Sequence, residues 1–306
     1  MRVTLVHNPG AGSRAEGDEA NILELLRAAG HTVREASAKD AGWAQVLDEP
    51  ADLVAVAGGD GTVARVAKAM LGRSIPVAPL PAGTANNISR TLGLAGRHWE
   101  ELVHAWPKAR RVKLDVGLAK GPWGERHFIE GLGAGLFACL LSDDDPDRKL
   151  AKFKKPQDRV AHALAMLERR AVDCAPLELR GTIDGEAVFG RVLLAEVLNI
   201  PYVGPNLYLS PDSQPGDGTF EVVIVTEDER DRLENYLKTW KENRERLAVL
   251  PSRRGKHLTV EWTGFELHID DELWPDGGRQ AGGSGSIDVR IAGAVEFLAP
   301  DSKRKD

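Results

Sequence analysis

Apolar positions fall into two textures along this chain. Through the first third, short apolar runs alternate with stretches whose apolar residues recur three and four apart. The runs at 3–6 (Val-Thr-Leu-Val), 53–56 (Leu-Val-Ala-Val) and 76–79 (Pro-Val-Ala-Pro) predict buried strands, and a further strand is expected at 32–35. Ile22, Leu23, Leu25, Leu26 and Ala29 form a helical stripe closed by Gly30. Helices are also expected over 41–47, over 63–70 and from about 85 onward. Repeated strand–helix–strand order predicts a doubly wound parallel sheet covered on both faces by helices. Ligands of such sheets bind at the carboxyl ends of the strands.

After Val112 the strand signals follow one another directly, at 111–119, 126–130, 177–182, 187–198, 220–225, 257–262, 265–269, 286–291 and 295–298. Turns such as Ile183-Asp184-Gly185-Glu186 read as hairpin connections. This half is expected to be an antiparallel β-sandwich with helical insertions over about 146–170 and 229–247. The fold class is therefore α/β plus all-β. An α/β nucleotide-binding domain is expected over 1–110, with the break near Pro107, and a sandwich domain for the substrate over 111–294. The strand near 295–306 is a candidate to return to the first domain.

Composition narrows the classes. With 42% hydrophobic and 28% charged residues, the 306-residue chain reads as a globular protein, and its net charge of −6 argues against charge-driven nucleic-acid binding. Cys139 and Cys174 lack metal-ligand spacing, so a reduced, cytoplasmic setting is expected. The first strand begins without a charged and apolar leader, and no apolar stretch approaches the ~20 residues that cross a bilayer. A lipid substrate would then be met by peripheral contact at the membrane surface.

The candidate chemistry starts in Ala57-Gly58-Gly59-Asp60-Gly61-Thr62, between the strand at 53–56 and the helix at 63–70. Glycines there let backbone N–H groups approach an anion, and the helix end favours phosphate. A second glycine loop, Leu80-Pro81-Ala82-Gly83-Thr84-Ala85-Asn86-Asn87, follows the next strand. Neither a Gly-x-x-x-x-Gly-Lys-[Ser/Thr] loop nor a His-Arg-Asp loop is present, which disfavours P-loop and protein-kinase chemistry. Together with Asn8-Pro9-Gly10-Ala11-Gly12, the Pro211-to-Val222 segment (containing Asp217-Gly218) and Asp270-Asp271-Glu272, these loops resemble the diacylglycerol kinase catalytic-domain family. That family includes sphingosine and ceramide kinases and bacterial lipid kinases. The matches run in order along nearly the whole chain.

The resemblance implies an ATP- and Mg²⁺-dependent kinase acting on a lipid hydroxyl, of diacylglycerol or sphingoid type. It places nucleotide contacts at Asn8, Pro9, Gly10, Ser37, Gly58, Gly59, Asp60, Gly61, Thr62, Gly83, Thr84 and Asn87. Asp60 and Asp115 match two aspartates of the family's metal and water network, while Asn87 stands where a third is usual. An amide there orients ligands but adds no negative charge. A structural Mg²⁺ is implied at the Asp217 carboxylate and the main-chain carbonyls near Gln214 and Thr219, an oxygen set suited to a hard cation. Read locally, Asp217-Gly218 is also an ordinary turn.

Glu272 matches the family's general base, with Asp60 as the alternative. A free Glu, with pKa near ~4.3, is ionised at neutral pH and ready to accept a proton. Asp271 stands at the family's glycine, where Asp tolerates a left-handed backbone better than most residues. A membrane-docking role is considered for Arg148-Lys149-Leu150-Ala151-Lys152-Phe153-Lys154-Lys155, against the plainer reading of a solvated charged face. Gly131-Leu132-Gly133-Ala134-Gly135-Leu136-Phe137 lacks the last glycine of a dinucleotide fingerprint and is expected to be a strand-to-helix turn lining the acceptor cleft. Two other functions stay open: an NAD kinase-like enzyme, whose glycine loop also carries Gly-Gly-Asp-Gly, and a binding protein that has lost catalysis. The resemblance is compatible with a homodimer.

Overall fold

The computed structural model describes residues 1–9, 18–142, 153, 155–242, 249–275 and 283–301. The chain forms two compact units, Met1–Leu114 with Gly293–Asp306, and Asp115–Ala292.

In the first unit, β1 (Arg2–His7), β2 (Thr32–Ser37), β3 (Leu53–Gly58) and β4 (Val77–Pro81) are parallel, in the order β4–β3–β1–β2. Every residue of β3 is buried, as a central strand covered on both faces requires. Edge strand β2 has no buried position. Helix α1 (Asp18–Ala28) precedes β2, and α2 (Asp60–Ala69) follows β3, turning Val63, Ala64, Val66 and Ala67 into the core. The helix expected over 41–47 is instead a 3-10 segment at Trp43–Asp48. Gly42, at φ 75°, starts that segment, and only Trp43 and Leu47 are buried in it. Short helices α3 (Asn87–Thr91) and α4 (Trp99–Ala105) complete the connection.

The second unit is antiparallel. It contains β6 (Gly124–Phe128), β7 (Gly131–Gly135), β8 (Leu177–Ile183), β9 (Glu186–Leu198), β10 (Tyr202–Val203), β11 (Leu207–Tyr208), β12 (Phe220–Thr226), β13 (Ser252–Gly255), β14 (His257–Trp262), β15 (Leu267–Ile269) and β16 (Glu272–Trp274). The long strand β9 pairs with β8 through Glu186–Val192, and with β7 and β12 through Leu194–Leu198. Alternation along these strands sends Leu132, Val197, Val222, Leu258 and Ile287 into one apolar core. Leu194 and Leu198 point the other way, into a second core made with α5 (Leu136–Leu141), α6 (Pro156–Asp173) and α7 (Arg230–Glu242). The glycine-rich segment expected as a strand-to-helix turn is mostly strand: Gly131–Gly135 is fully buried β7, and α5 begins at Leu136.

Two strands are divided between the units. Strand β5 is Arg110–Gly121, and β17 (Gly285–Ala299) runs antiparallel to β14 in its first part. At its far end, Phe297 of β17 lies opposite Val77 in parallel register. Within the first unit Arg111 pairs with Glu296 at 2.8 Å, and Arg110 Nε donates to the Pro300 carbonyl at 3.2 Å.

Candidate functional site

In the first unit the candidate residues gather at the carboxyl ends of the parallel strands. His7 at the end of β1 lies opposite Ser37 at the end of β2, and Ala57 and Gly58 in β3 lie opposite Leu80 and Pro81 in β4. The two glycine loops therefore leave adjacent strands side by side. Their backbones touch: a Cβ added to Gly83 would sit 2.4 Å from the Gly59 Cα. One added to Gly58 would sit 2.6 Å from the Thr62 Cβ, so neither position accepts a side chain without displacement. Ala82 N–H donates to the Gly58 carbonyl at 3.0 Å, linking the loops directly.

Side chains fix the rest of this end. Asn8 Nδ2 donates to Thr62 Oγ1 at 3.3 Å, joining the chain after β1 to the first turn of α2. Asp60 Oδ1 accepts from Ile88 N–H at 3.0 Å, so the first loop's carboxylate caps the helix following the second. Asn86 occupies the left-handed region at φ 54°, and its side chain bridges the N–H and carbonyl of Gly83 at 2.9 and 2.8 Å. Asn87 is buried, Pro9 and Thr84 are half-buried, and Ser37 Oγ accepts from Lys39 N–H at 3.2 Å. Gly10 lies outside the described residues. The result is a run of close-packed backbone at strand ends beside a helix N-terminus.

The second unit carries two acidic features. Asp115, 3% exposed, accepts through Oδ2 from Gly218 N–H at 2.9 Å and Gly216 N–H at 3.1 Å. Burial raises its pKa, opposed by those two backbone donors, with Asp217 adding to the rise. Asp115 thus holds the shape of the Asp217 loop. The Asp217 carboxylate accepts from Thr219 N–H at 3.0 Å and Thr219 Oγ1 at 2.6 Å, and it also pairs with Arg254. Arg254 reaches Thr219 Oγ1 at 2.7 Å and lies 3.4 Å from buried Glu221, whose pKa burial pushes up. The Gln214 carbonyl accepts from Asp217 N–H at 3.3 Å. These oxygens fit a hard cation chemically, but Arg254 already balances the charge of Asp217, so a bound cation would have to displace it. Among the described residues no group of three or more His, Cys, Asp or Glu is arranged to hold a metal ion.

The other feature is the turn between β15 and β16. Ile269 lies opposite Glu272 in the hairpin, which presents Glu272 as an exposed residue. The left-handed residue is Asp270 (φ 52°), not Asp271 as expected. Asp270 is held there because its Oδ1 accepts from Ile129 N–H (2.9 Å) and Glu130 N–H (2.8 Å). Below the turn lies a pair that no motif indicated. His268 Nδ1 donates to the Asp270 carbonyl at 2.9 Å, and its Nε2 meets Glu196 Oε2 at 2.9 Å, with side chains 3% and 0% exposed. Burial lowers the His268 pKa, but the Glu196 charge and hydrogen bonds outweigh it, and the net direction is upward. Gly133 is glycine because a Cβ there would lie 2.1 Å from Glu196 Oε1.

Between the strands of the second unit is an apolar cavity of about 50 Å³, lined among others by Leu132, Leu179, Ile183, Val222, Leu258 and Leu267. Among the described residues no helix is long and apolar enough to cross a membrane. Of the basic segment considered for docking, only Phe153 and Lys155 are described; Phe153 packs on His162 with ring centroids 4.8 Å apart.

Comparison with known proteins follows the same lines. Residues 2–119 match the model of the diacylglycerol kinase catalytic domain. A diacylglycerol kinase of Mycobacterium tuberculosis is 26% identical over 270 residues, covering 86% of this chain and 82% of its own. The crystal structure of a Bacillus anthracis diacylglycerol kinase shares the fold over 98% of both chains, with a TM-score of 0.68 and 22% identity. A yeast NADH kinase solved with NADH shares it more loosely, with a TM-score of 0.55, 9% identity, and coverage of 99% of this chain and 84% of that one.

Proposed function

We propose, from the match of residues 2–119 to the diacylglycerol kinase catalytic-domain model, that the chain transfers the γ-phosphoryl group of ATP to the hydroxyl of a lipid, of diacylglycerol or sphingoid type. The observation that carries this reading is the backbone contact between the loops at Gly59 and Gly83, at the carboxyl ends of adjacent parallel strands. Phosphoryl transfer asks a protein chiefly for positioning and charge stabilisation, and backbone donors with a helix N-terminus supply both. In this reading Gly58, Gly59, Gly61, Thr62, Gly83 and Thr84 line the phosphates, and Asn8, Pro9, Gly10, Ser37 and Asn87 complete the nucleotide side.

Asp60 ties the two loops together and orients the phosphate end; in the second unit Asp115 holds the Asp217 loop. Bound with ATP, Mg²⁺ supplies charge neutralisation on the phosphates. A structural cation would be held by the Asp217 carboxylate and the Gln214 and Thr219 carbonyls. Glu272, exposed at its hairpin, accepts the lipid hydroxyl proton as the alcohol attacks. The apolar cavity of the second unit suits the hydrocarbon part of the acceptor, and its small volume means that chain entry must part its walls.

Labelled ATP and a total lipid extract test the reading: a labelled organic-phase product is expected, and mass spectrometry would name it. No product across diacylglycerol, sphingoid, ceramide and glycerolipid acceptors would sink it. Glu272→Gln should lower turnover by about 10²–10⁴-fold, with ATP affinity retained. Near-normal turnover would remove Glu272 from the role and leave Asp60 as base. The fold likeness to NADH kinase keeps one second reading, which failure to phosphorylate NAD would exclude.

A further inference from the structure

The two cysteines stand 35 positions apart in sequence, yet the fold brings their sulfurs to 3.3 Å. Cys139 lies in α5 and is half-buried; Cys174 closes the C-terminus of α6 and is buried, with its N–H donating to the Arg170 carbonyl at 2.7 Å. Both thiols are free and belong to the second core, where Cys139 packs against the buried cluster containing Cys174. We propose that Cys139 and Cys174 form a reversible intramolecular disulfide when the protein meets a hydroperoxide. The site is independent of the kinase reading.

Several local features support it. Arg230 is fixed over the end of α6, donating to the carbonyls of Ala171, Val172 (3.1 Å) and Cys174 (2.9 Å). Its charge, held at the Cys174 carbonyl, favours the Cys174 thiolate. The hydrogen bond from Cys139 first, and then Arg230 and Arg170 against the opposing effect of burial, bring the Cys174 thiol down to about 7. Cys139 is pushed up by the same sulfur–sulfur hydrogen bond and by burial, so the shared proton resides on Cys139. One sulfur is thus a nucleophile near neutral pH, and the other is a poised resolving thiol.

The chemistry balances without a group outside the hydroperoxide. The Cys174 thiolate attacks one peroxide oxygen; the S–O bond forms as the O–O bond breaks, and the leaving alkoxide or hydroxide takes a proton. Cys139 sulfur then attacks the Cys174 sulfenic sulfur. An S–S bond forms, the S–O bond breaks, and oxygen leaves as water with the Cys139 proton. Two electrons pass from the two thiols to the peroxide, and a dithiol reverses the change. The sulfurs need to approach by only about 1 Å to reach bonding distance. The bond would tie the end of α5 to the end of α6.

The test uses the full chain, reduced and freed of reductant, then treated with a few equivalents of hydrogen peroxide. Two titratable thiols per chain should fall to near zero, the intact mass should drop by about 2 Da, and dithiothreitol should reverse both. The chain contains two cysteines in all, so a monomeric product with that mass assigns the bond without mapping. Cys139→Ser should instead accumulate oxygen adducts of about 16 or 32 Da at Cys174. The wild-type rate should rise roughly tenfold between pH 6 and 8 as Cys174 ionises. Retention of both thiols, oxygen adducts without the mass loss, or cross-linking only between chains would each overturn the proposal. The wild-type measurement decides the matter even if a cysteine variant fails to fold.

Discussion

His268→Leu should destabilise the second unit severely, and the structure says by how much. The imidazole is the hydrogen-bonding partner of a Glu196 carboxylate that is wholly removed from solvent. Taking away one partner of a buried pair strands the other, at about 3–5 kcal/mol. That compares with ~5–15 kcal/mol for the whole stability of a typical domain. For a unit of this size it corresponds to a fall in Tm on the order of 10 °C. The informative comparison is the double variant Glu196→Met with His268→Leu, which removes both charges and refills the space. It should recover most of the loss, because a buried ion pair and a well-packed apolar pair are often nearly equal in stability. Urea denaturation followed by tryptophan fluorescence measures all three proteins. Loss below about 1 kcal/mol in the single variant, or a double variant no better than the single, would refute the reasoning. The pair also sets a pH dependence. A folded-state His268 pKa above the unfolded ~6.5 means that its stabilisation is complete below pH 6.5 and is lost as pH rises through the folded value. The double variant should lack that decline.

Two further perturbations examine the loops. Gly83→Ala must push the two glycine loops apart, since its Cβ would meet the Gly59 Cα at 2.4 Å. ATP affinity by calorimetry should weaken at least tenfold (about 1.4 kcal/mol) while the circular dichroism spectrum stays native; unchanged affinity would detach this contact from nucleotide binding. Arg254→Met removes the cation that already sits on Asp217. Mg²⁺ without nucleotide should then raise Tm more in the variant than in wild type, and equal shifts would show that Arg254 and a metal do not compete.

The parallel half was legible because its signals are local. A short all-apolar run such as Leu53–Gly58 reads as a buried strand by its length and its flanking glycines, and those glycines announce a backbone that must come close to something. What Gly59 comes close to in the fold is Gly83, on a loop that follows a different strand. The glycines of 131–135 were misread for the same reason. A run of glycines ordinarily marks a turn, but here β7 needs them because Glu196 on β9 occupies the space above Gly133. The neighbour 63 residues later in the chain carries the reason, and no window around Gly133 contains it.

The same logic separates the acids that motif reading found from the groups that hold them. Glu272 and Asp217 announce themselves through an acidic run and an Asp-Gly turn, and Asp115 only through the family resemblance, while Glu196, His268 and Arg254 sit inside strands where alternation is the sole signal. Alternation gives even that signal the wrong sense: Glu196 lies between Ala195 and Val197, a position that a half-buried strand would turn to water. It is buried instead because β9 is covered on both faces, by the apolar core of the strands on one side and by α5, α6 and α7 on the other. A charge placed there must be matched from another strand, and His268 meets it from β15, two strands away across β7. The hydrogen bond that His268 makes in turn, to the Asp270 carbonyl, anchors the hairpin that presents Glu272. The exposed acid that local reading identifies is therefore positioned by a buried pair that only the sheet order reveals. Losing His268 should for that reason disturb the Glu272 hairpin before any other part of the second unit.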